Sequence, residues 1–132
     1  MVAYSFQGRF VAPIQAGVKQ QTIRGKRRRH VKQGETIQLF YGLRTKYCTR
    51  IGTATCAGIS RITVWLDQAR IQAADQEYQN RADLDEFARS DGFRDWPDML
   101  AFWREHHPNL EIFDGFLIRW KDLKADARGG SQ

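Results

Sequence analysis

The chain has 132 residues, 42% of them hydrophobic and 27% charged, which is the make-up of one folded domain able to bury a core without metal or disulfides, and excludes a disordered chain. Lys and Arg number 21 against 15 Asp and Glu, a net charge of +6, so the surface potential suits phosphates and nucleic acid. No basic segment leads into an apolar run at the N-terminus and no stretch is long enough to cross a bilayer, so a soluble, cytoplasmic protein without a membrane partner is expected.

In chain order, Tyr4-Ser5-Phe6 and Arg9-Phe10 read as a first strand. Pro13-Ile14-Gln15-Ala16-Gly17 follows as one or two helical turns, with proline at its start and glycine as its stop. Thr22-Ile23-Arg24 is extended, and a period of two sends the side chains of Thr22 and Arg24 to one face while Ile23 enters the core. Lys32-Gln33-Gly34-Glu35 is a turn, and Thr36 to Gly42 is a strand rich in β-branched and aromatic residues. Two further strands are predicted, over Tyr47 to Ala57 and over Ser60 to Leu66, the second with Ile62, Val64 and Leu66 alternating with polar partners.

From Asp75 to Ser90 the chain becomes polar, with Leu84, Phe87 and Ala88 at helical spacing, which predicts a helix with one buried stripe. Asp91-Gly92-Phe93 breaks it. A second helix opens with Asp95 or Trp96 as cap and Pro97 in its first turn, and Met99, Phe102 and Trp103 form its apolar face. His106 and His107 close that stretch before Pro108, where cations suit the helix dipole, so capping is their expected role. Phe113 to Trp120 is a closing strand, and Ala125 to Gln132 is a flexible polar tail. Strands, paired helices and a last strand predict a single α+β domain over residues 1–124, a small mixed β-barrel with peripheral helices.

The cysteines, Cys48 and Cys56, form no C-x-x-C pair and have no histidine at ligand spacing, so both are expected to be thiols packed as small apolar groups, and no metal site is expected. No glycine-rich phosphate loop is present either, and no cofactor is implied. The densest chemistry lies in Gly17-Val18-Lys19-Gln20-Gln21-Thr22-Ile23-Arg24, which runs into Gly25-Lys26-Arg27-Arg28-Arg29-His30. An amine, a hydroxyl and a guanidinium stand here beside a run of positive charge. A lysine next to arginines in a partly buried cleft loses preference for its charged form and can act as base toward a nearby hydroxyl. As plain structure, the same residues are a solvated helix end and an ordinary strand. The basic run from Arg24 to Lys32, with Lys26, Arg27, Arg28 and Arg29 within it, reads equally as a phosphate contact and as a solvated loop. Phe40, Tyr41 and Tyr47 are candidate stacking faces, Arg44 and Arg50 flank the hairpin near them, and Asp91 is either a helix cap or a general acid/base.

Taken together, Gly17-x-Lys19-x-x-Thr22-x-Arg24, Lys32-x-Gly34-Glu35, Asp91-Gly92-Phe93 and the aromatic last strand resemble the ASCH domain family, a branch of the PUA-like superfamily, from about Phe6 to Trp120. The resemblance implies a small β-barrel with a cleft for RNA, single-stranded nucleic acid, nucleotides or modified nucleosides. Some small bacterial members are amidohydrolases acting on N4-acetylcytidine with a lysine, a threonine and a glutamate. Carried over, these roles fall on Lys19, Thr22 and Asp91. Asp91 departs from the pattern, being a methylene shorter, and a misplacement of about an ångström costs about a hundredfold in rate unless the backbone moves in. The reading from sequence is therefore binding of RNA or a nucleotide-type ligand by Arg24, Lys26, Arg27, Arg28, Arg29, Tyr41 and Arg44. Hydrolysis of an N4-acylated cytidine or similar nucleoside is the alternative.

Overall fold

The computed structural model describes residues 2–126. Its strands are β1 (Val2–Phe6), β2 (Gln21–Arg24), β3 (Thr36–Tyr41), β4 (Thr49–Trp65), β5 (Arg70–Ala73), β6 (Gln76–Tyr78) and β7 (Ile112–Ala125). The helices are α1 (Val11–Gln15), α2 (Arg81–Ser90) and α3 (Trp96–His106), with a 3-10 turn at Gly8–Phe10. The architecture is α+β, as expected, with the strands joined in one sheet.

β4 and β7 form the spine of that sheet. They run antiparallel from Gly52 opposite Ala125 to Trp65 opposite Ile112, with register shifts between Thr53 and Thr55 and between Cys56 and Gly58. β3 lies on the other flank of β4, antiparallel to it, and β1 is parallel to β3. β2 pairs antiparallel with β7. β1 and β2 thus have one ladder partner each, and an arginine spans the gap between them: Arg24 Nη2 donates to the Ser5 carbonyl at 2.7 Å.

Side chains alternate along β3, where Ile37 and Leu39 are buried between more exposed neighbours, and along the end of β4, where Ile62 and Val64 point inward. α2 contributes Leu84, Phe87 and Ala88, and α3 contributes Trp96, Met99 and Trp103. The caps follow from short acceptor side chains. Asn80 accepts from the Asp83 N–H at 2.9 Å at the start of α2, and Asp95 accepts from the Asp98 N–H at 2.9 Å at the start of α3, where Pro97 occupies the first turn.

Several expectations need correction. Arg9-Phe10 is a 3-10 turn, not strand. The two strands predicted between Tyr47 and Leu66 are one, because at Cys56 and Gly58 the chain bulges and keeps pairing with β7. The helix expected from Asp75 starts at Arg81; the preceding residues form β5 and β6, a hairpin turned at Ala74 with φ 53°. Ala125 belongs to β7, and residues 127–132 of the expected tail lie outside the described residues. Cys56 is buried but Cys48 is exposed, and both are thiols.

Candidate functional site

The site is assembled where two helix ends meet. At the end of α1, Gly17 takes φ 79°, and the Val18 and Lys19 N–H groups both donate to the Pro13 carbonyl at 3.0 Å. At the end of α2, the Gly92 N–H donates to Arg89 O at 3.0 Å and the Phe93 N–H to Ala88 O at 2.9 Å, a Schellman closure with Gly92 at φ 97°. The last two carbonyls of this turn are taken by the neighbouring segment. Ser90 O accepts from the Gln20 N–H at 2.9 Å, and Asp91 O accepts from Lys19 Nζ at 2.5 Å. The negative end of α2 thereby holds the ammonium. Only glycine fits at position 92, since a Cβ there would lie 2.8 Å from Lys19 Cδ.

Lys19 is 3% exposed, and its Nζ is 3.9 Å from Asp91 Oδ1. It also stands over the rings of Phe10 and Phe6, at 4.7 Å and 5.5 Å from their centroids. Burial brings the amine down to about 8, against the pull of the Asp91 carboxylate and with a push from Arg24 and Arg9. Burial raises Asp91 above the usual carboxylate range; Lys19, a 3.3 Å hydrogen bond from Gln21 Nε2, and Arg24 oppose the rise. Both members of the pair are thus driven toward their uncharged forms.

Thr22 is buried on β2, opposite Ile118 of β7. Its Oγ1 accepts a 3.0 Å hydrogen bond from Arg24 Nε, which leaves the hydroxyl proton to be donated elsewhere. This contact realises the shared face expected from the two-residue spacing. The Arg24 guanidinium also lies 4.8 Å from the Phe6 ring and 5.2 Å from Tyr4. Among the described residues no hydrogen bond joins Thr22 to Lys19; the two meet as walls of one pocket.

That pocket, of about 280 Å³, occupies the gap between the edges of β1 and β2. Lys19, Thr22, Arg24 and Asp91, with Ser5, Gln7 and His107, supply its polar groups, and Phe6, Phe10, Phe93, Phe102, Trp103 and Phe113 its aromatic walls. Phe10, Phe93 and Phe102 contact one another edge-on or tilted at 5.3–5.5 Å. The Arg9 guanidinium covers all three at 4.9–5.6 Å and is itself held by Asp98 at 2.8 Å. Sequence patterning does not reveal these walls. Phe102 and Trp103 read as helix core, which Trp103 also is, and Phe93 as part of a helix break; only their packing makes them a pocket. His107 does end α3, as expected of a cap, but its ring also reaches the pocket beside Trp103, 5.2 Å away.

The other residues singled out from sequence lie outside this pocket. Lys26, Arg27, Arg28 and Arg29 are exposed on the loop after Gly25, which lines the pocket. Arg27 leans on the Tyr4 ring at 4.9 Å and donates to Ala3 O, and Arg29 pairs with Glu35 at 2.8 Å. His30 ties this loop down, with one ring nitrogen 2.8 Å from the Tyr4 hydroxyl and the other 2.9 Å from the Gly25 carbonyl. Tyr41 lines an adjoining groove, and exposed Arg44 sits in the following loop at φ 72°.

No family model and no curated protein matches the sequence. The fold, however, is similar to a solved structure of ASCH from Zymomonas mobilis, with a TM-score of 0.57 over 93% of this chain and 68% of that one, at 14% identity. The chain has an ASCH-like fold.

Proposed function

We propose that the pocket receives the planar base of a modified nucleoside and that the chain hydrolyses an N-acyl group from its exocyclic amine. The observation carrying this reading is the convergence of Lys19, Thr22, Arg24 and Asp91 on one aromatic-walled pocket of about 280 Å³. The volume suits a single ring system, and the walls suit stacking.

The chemistry follows from the protonation states. With Lys19 at about 8, about a tenth of it is the neutral amine at pH 7. Neutral Lys19 takes the Thr22 hydroxyl proton as Oγ1 attacks the amide carbon, and the carbonyl pair moves onto oxygen. Arg24, already directed at Thr22 Oγ1, faces the developing oxyanion. Protonated Asp91, the form burial favours, gives its proton to the amine nitrogen as the C–N bond breaks. The resulting ester on Thr22 is cleaved by water, which returns its proton to Asp91 while Lys19 gives the hydroxyl proton back to Thr22. Without a Cβ at Gly92 this turn packs directly on the Lys19 stem, with Asp91 Oδ1 3.9 Å from Lys19 Nζ.

The test is release of cytidine from N4-acetylcytidine by the purified protein. Lys19→Ala and Thr22→Ala are each expected to lower the rate by at least about a hundredfold. A folded wild-type protein that releases no cytidine would leave the pocket as a binding site and remove the hydrolytic reading. The exposed run from Lys26 to Arg29, beginning next to the pocket-lining Gly25, supports binding of phosphate-bearing ligands alongside it.

A further inference from the structure

We infer that the base pocket is one end of a longer trench, and that the trench holds a neighbouring nucleotide of a single-stranded polynucleotide on Tyr47 and Tyr41. The inference rests on the pocket being a base site and not on hydrolysis. Ser5, Phe6 and Gln7 line the base pocket and also an adjoining groove of about 520 Å³, whose far side is Tyr41, Lys46 and Tyr47. Those last three residues continue into a further groove of about 490 Å³ that reaches Arg50. A connected path therefore leads from Thr22 past Gln7 to two tyrosine rings.

The loop presenting these rings is held in place. Leu43 N–H donates to Ser5 Oγ at 3.2 Å, which ties the loop to β1 at the edge of the base pocket. Thr45 Oγ1 donates to Gly42 O at 2.6 Å and accepts from the Tyr47 N–H at 3.2 Å, and the Cys48 N–H returns to Thr45 O at 3.2 Å. Gly42, at φ 66°, lies so close to Thr45 Oγ1 that a Cβ there would be 2.9 Å from it. On this ordered loop Tyr47 remains 66% exposed and Tyr41 39%. Lys46 Nζ sits 5.2 Å from the Tyr47 ring, and Arg44 is exposed one turn earlier. Neither groove has an acidic lining residue. At the far end Arg50 is paired with Asp126 at 2.8 Å, but the accessible rings beside Lys46 and Arg44 match a chain of stacked bases and phosphates.

The probe is fluorescein-labelled single-stranded hexacytidylate RNA, followed by anisotropy in low salt. Tyr47→Ala is expected to bind about 5- to 100-fold more weakly than the wild type, while Tyr47→Phe, which keeps the ring, binds nearly as well. Lys46→Ala is expected to weaken binding and flatten its salt dependence. Equal binding by wild type and Tyr47→Ala, or no binding by wild type at low salt, would overturn the inference. Turnover of free N4-acetylcytidine, run on the same proteins, separates the two ideas. Loss of strand affinity in Tyr47→Ala with no nucleoside turnover in any protein sinks hydrolysis alone. Unchanged strand affinity with normal nucleoside turnover sinks the trench alone.

Discussion

An amine buried to 3% exposure is the residue on which the proposed chemistry turns. Burial disfavours its charged form, and the Asp91 carbonyl, the Asp91 carboxylate and two aromatic faces restore only part of the lost hydration. The direction of the pH dependence follows. Lys19 serves as base when neutral and Asp91 as acid when protonated, so log kcat/KM on N4-acetylcytidine is expected to be bell-shaped, with the Lys19 limb at about 8 and the other limb set by Asp91. A profile with no break near pH 8 would remove Lys19 as the base. Stability depends on pH as well. The folded value is below the ordinary lysine value, so the folded state binds fewer protons than the unfolded chain across that interval, and stability rises with pH from about 8 toward about 10.4. The spacing of Thr22 and Arg24 revealed their common face. The burial that tunes Lys19 is invisible locally, because Phe10, Asp91 and Arg24 reach it from three different elements.

At the scale of elements, the end of α2 does the positioning. Its Schellman turn uses glycine for two reasons at once: the positive φ of Gly92 and the Lys19 stem lying where a Cβ would go. Gly92→Ala is expected to cost about 2–4 kcal/mol from strain and overpacking together, a fall of roughly 5–15 °C in Tm by calorimetry. It should also lower turnover, because Lys19 must shift. Gly58→Ala, where an added Cβ meets nothing within 4 Å, is the control and should leave Tm nearly unchanged. A Gly92→Ala protein as stable and active as wild type would show that the 17–20 segment does not depend on this contact. The helix ends themselves were legible in the sequence, since Gly17, Asp95 with Pro97, and Gly92 carry local signals. The run from Asp75 to Asn80 was not. Its polar residues suit a helix, yet β5 pairs with β4 and β6 with β5, and those backbone hydrogen bonds outweigh propensities of a few tenths of a kcal/mol per residue.

For the whole molecule, with a net charge of +6, the cations Lys26 to Arg29 stand near the pocket in the loop that His30 fastens to Tyr4 and Gly25. Strand binding should therefore weaken steeply with salt. Titration of the same RNA across salt concentrations is expected to give a log–log slope that loses about 0.7 on Arg28→Ala, one phosphate contact fewer. An unchanged slope would place Arg28 outside the interface. The sequence by itself determined the α+β class, most strands, the Asp95 cap and the helix stops at Gly17 and Gly92, because periodicity, capping and turn chemistry act over a few residues. It is the resemblance to the ASCH family that groups Lys19, Thr22 and Asp91, with Arg24 beside them. Only the tertiary structure decided that these residues share an aromatic pocket, that the basic run stands outside it, and that Cys56 and Gly58 bulge within one long strand. The physical reason is distance along the chain. β1, β2, the end of α2 and α3 meet at the pocket through contacts between residues far apart in sequence, and no local pattern records which edges of a sheet are left to face each other.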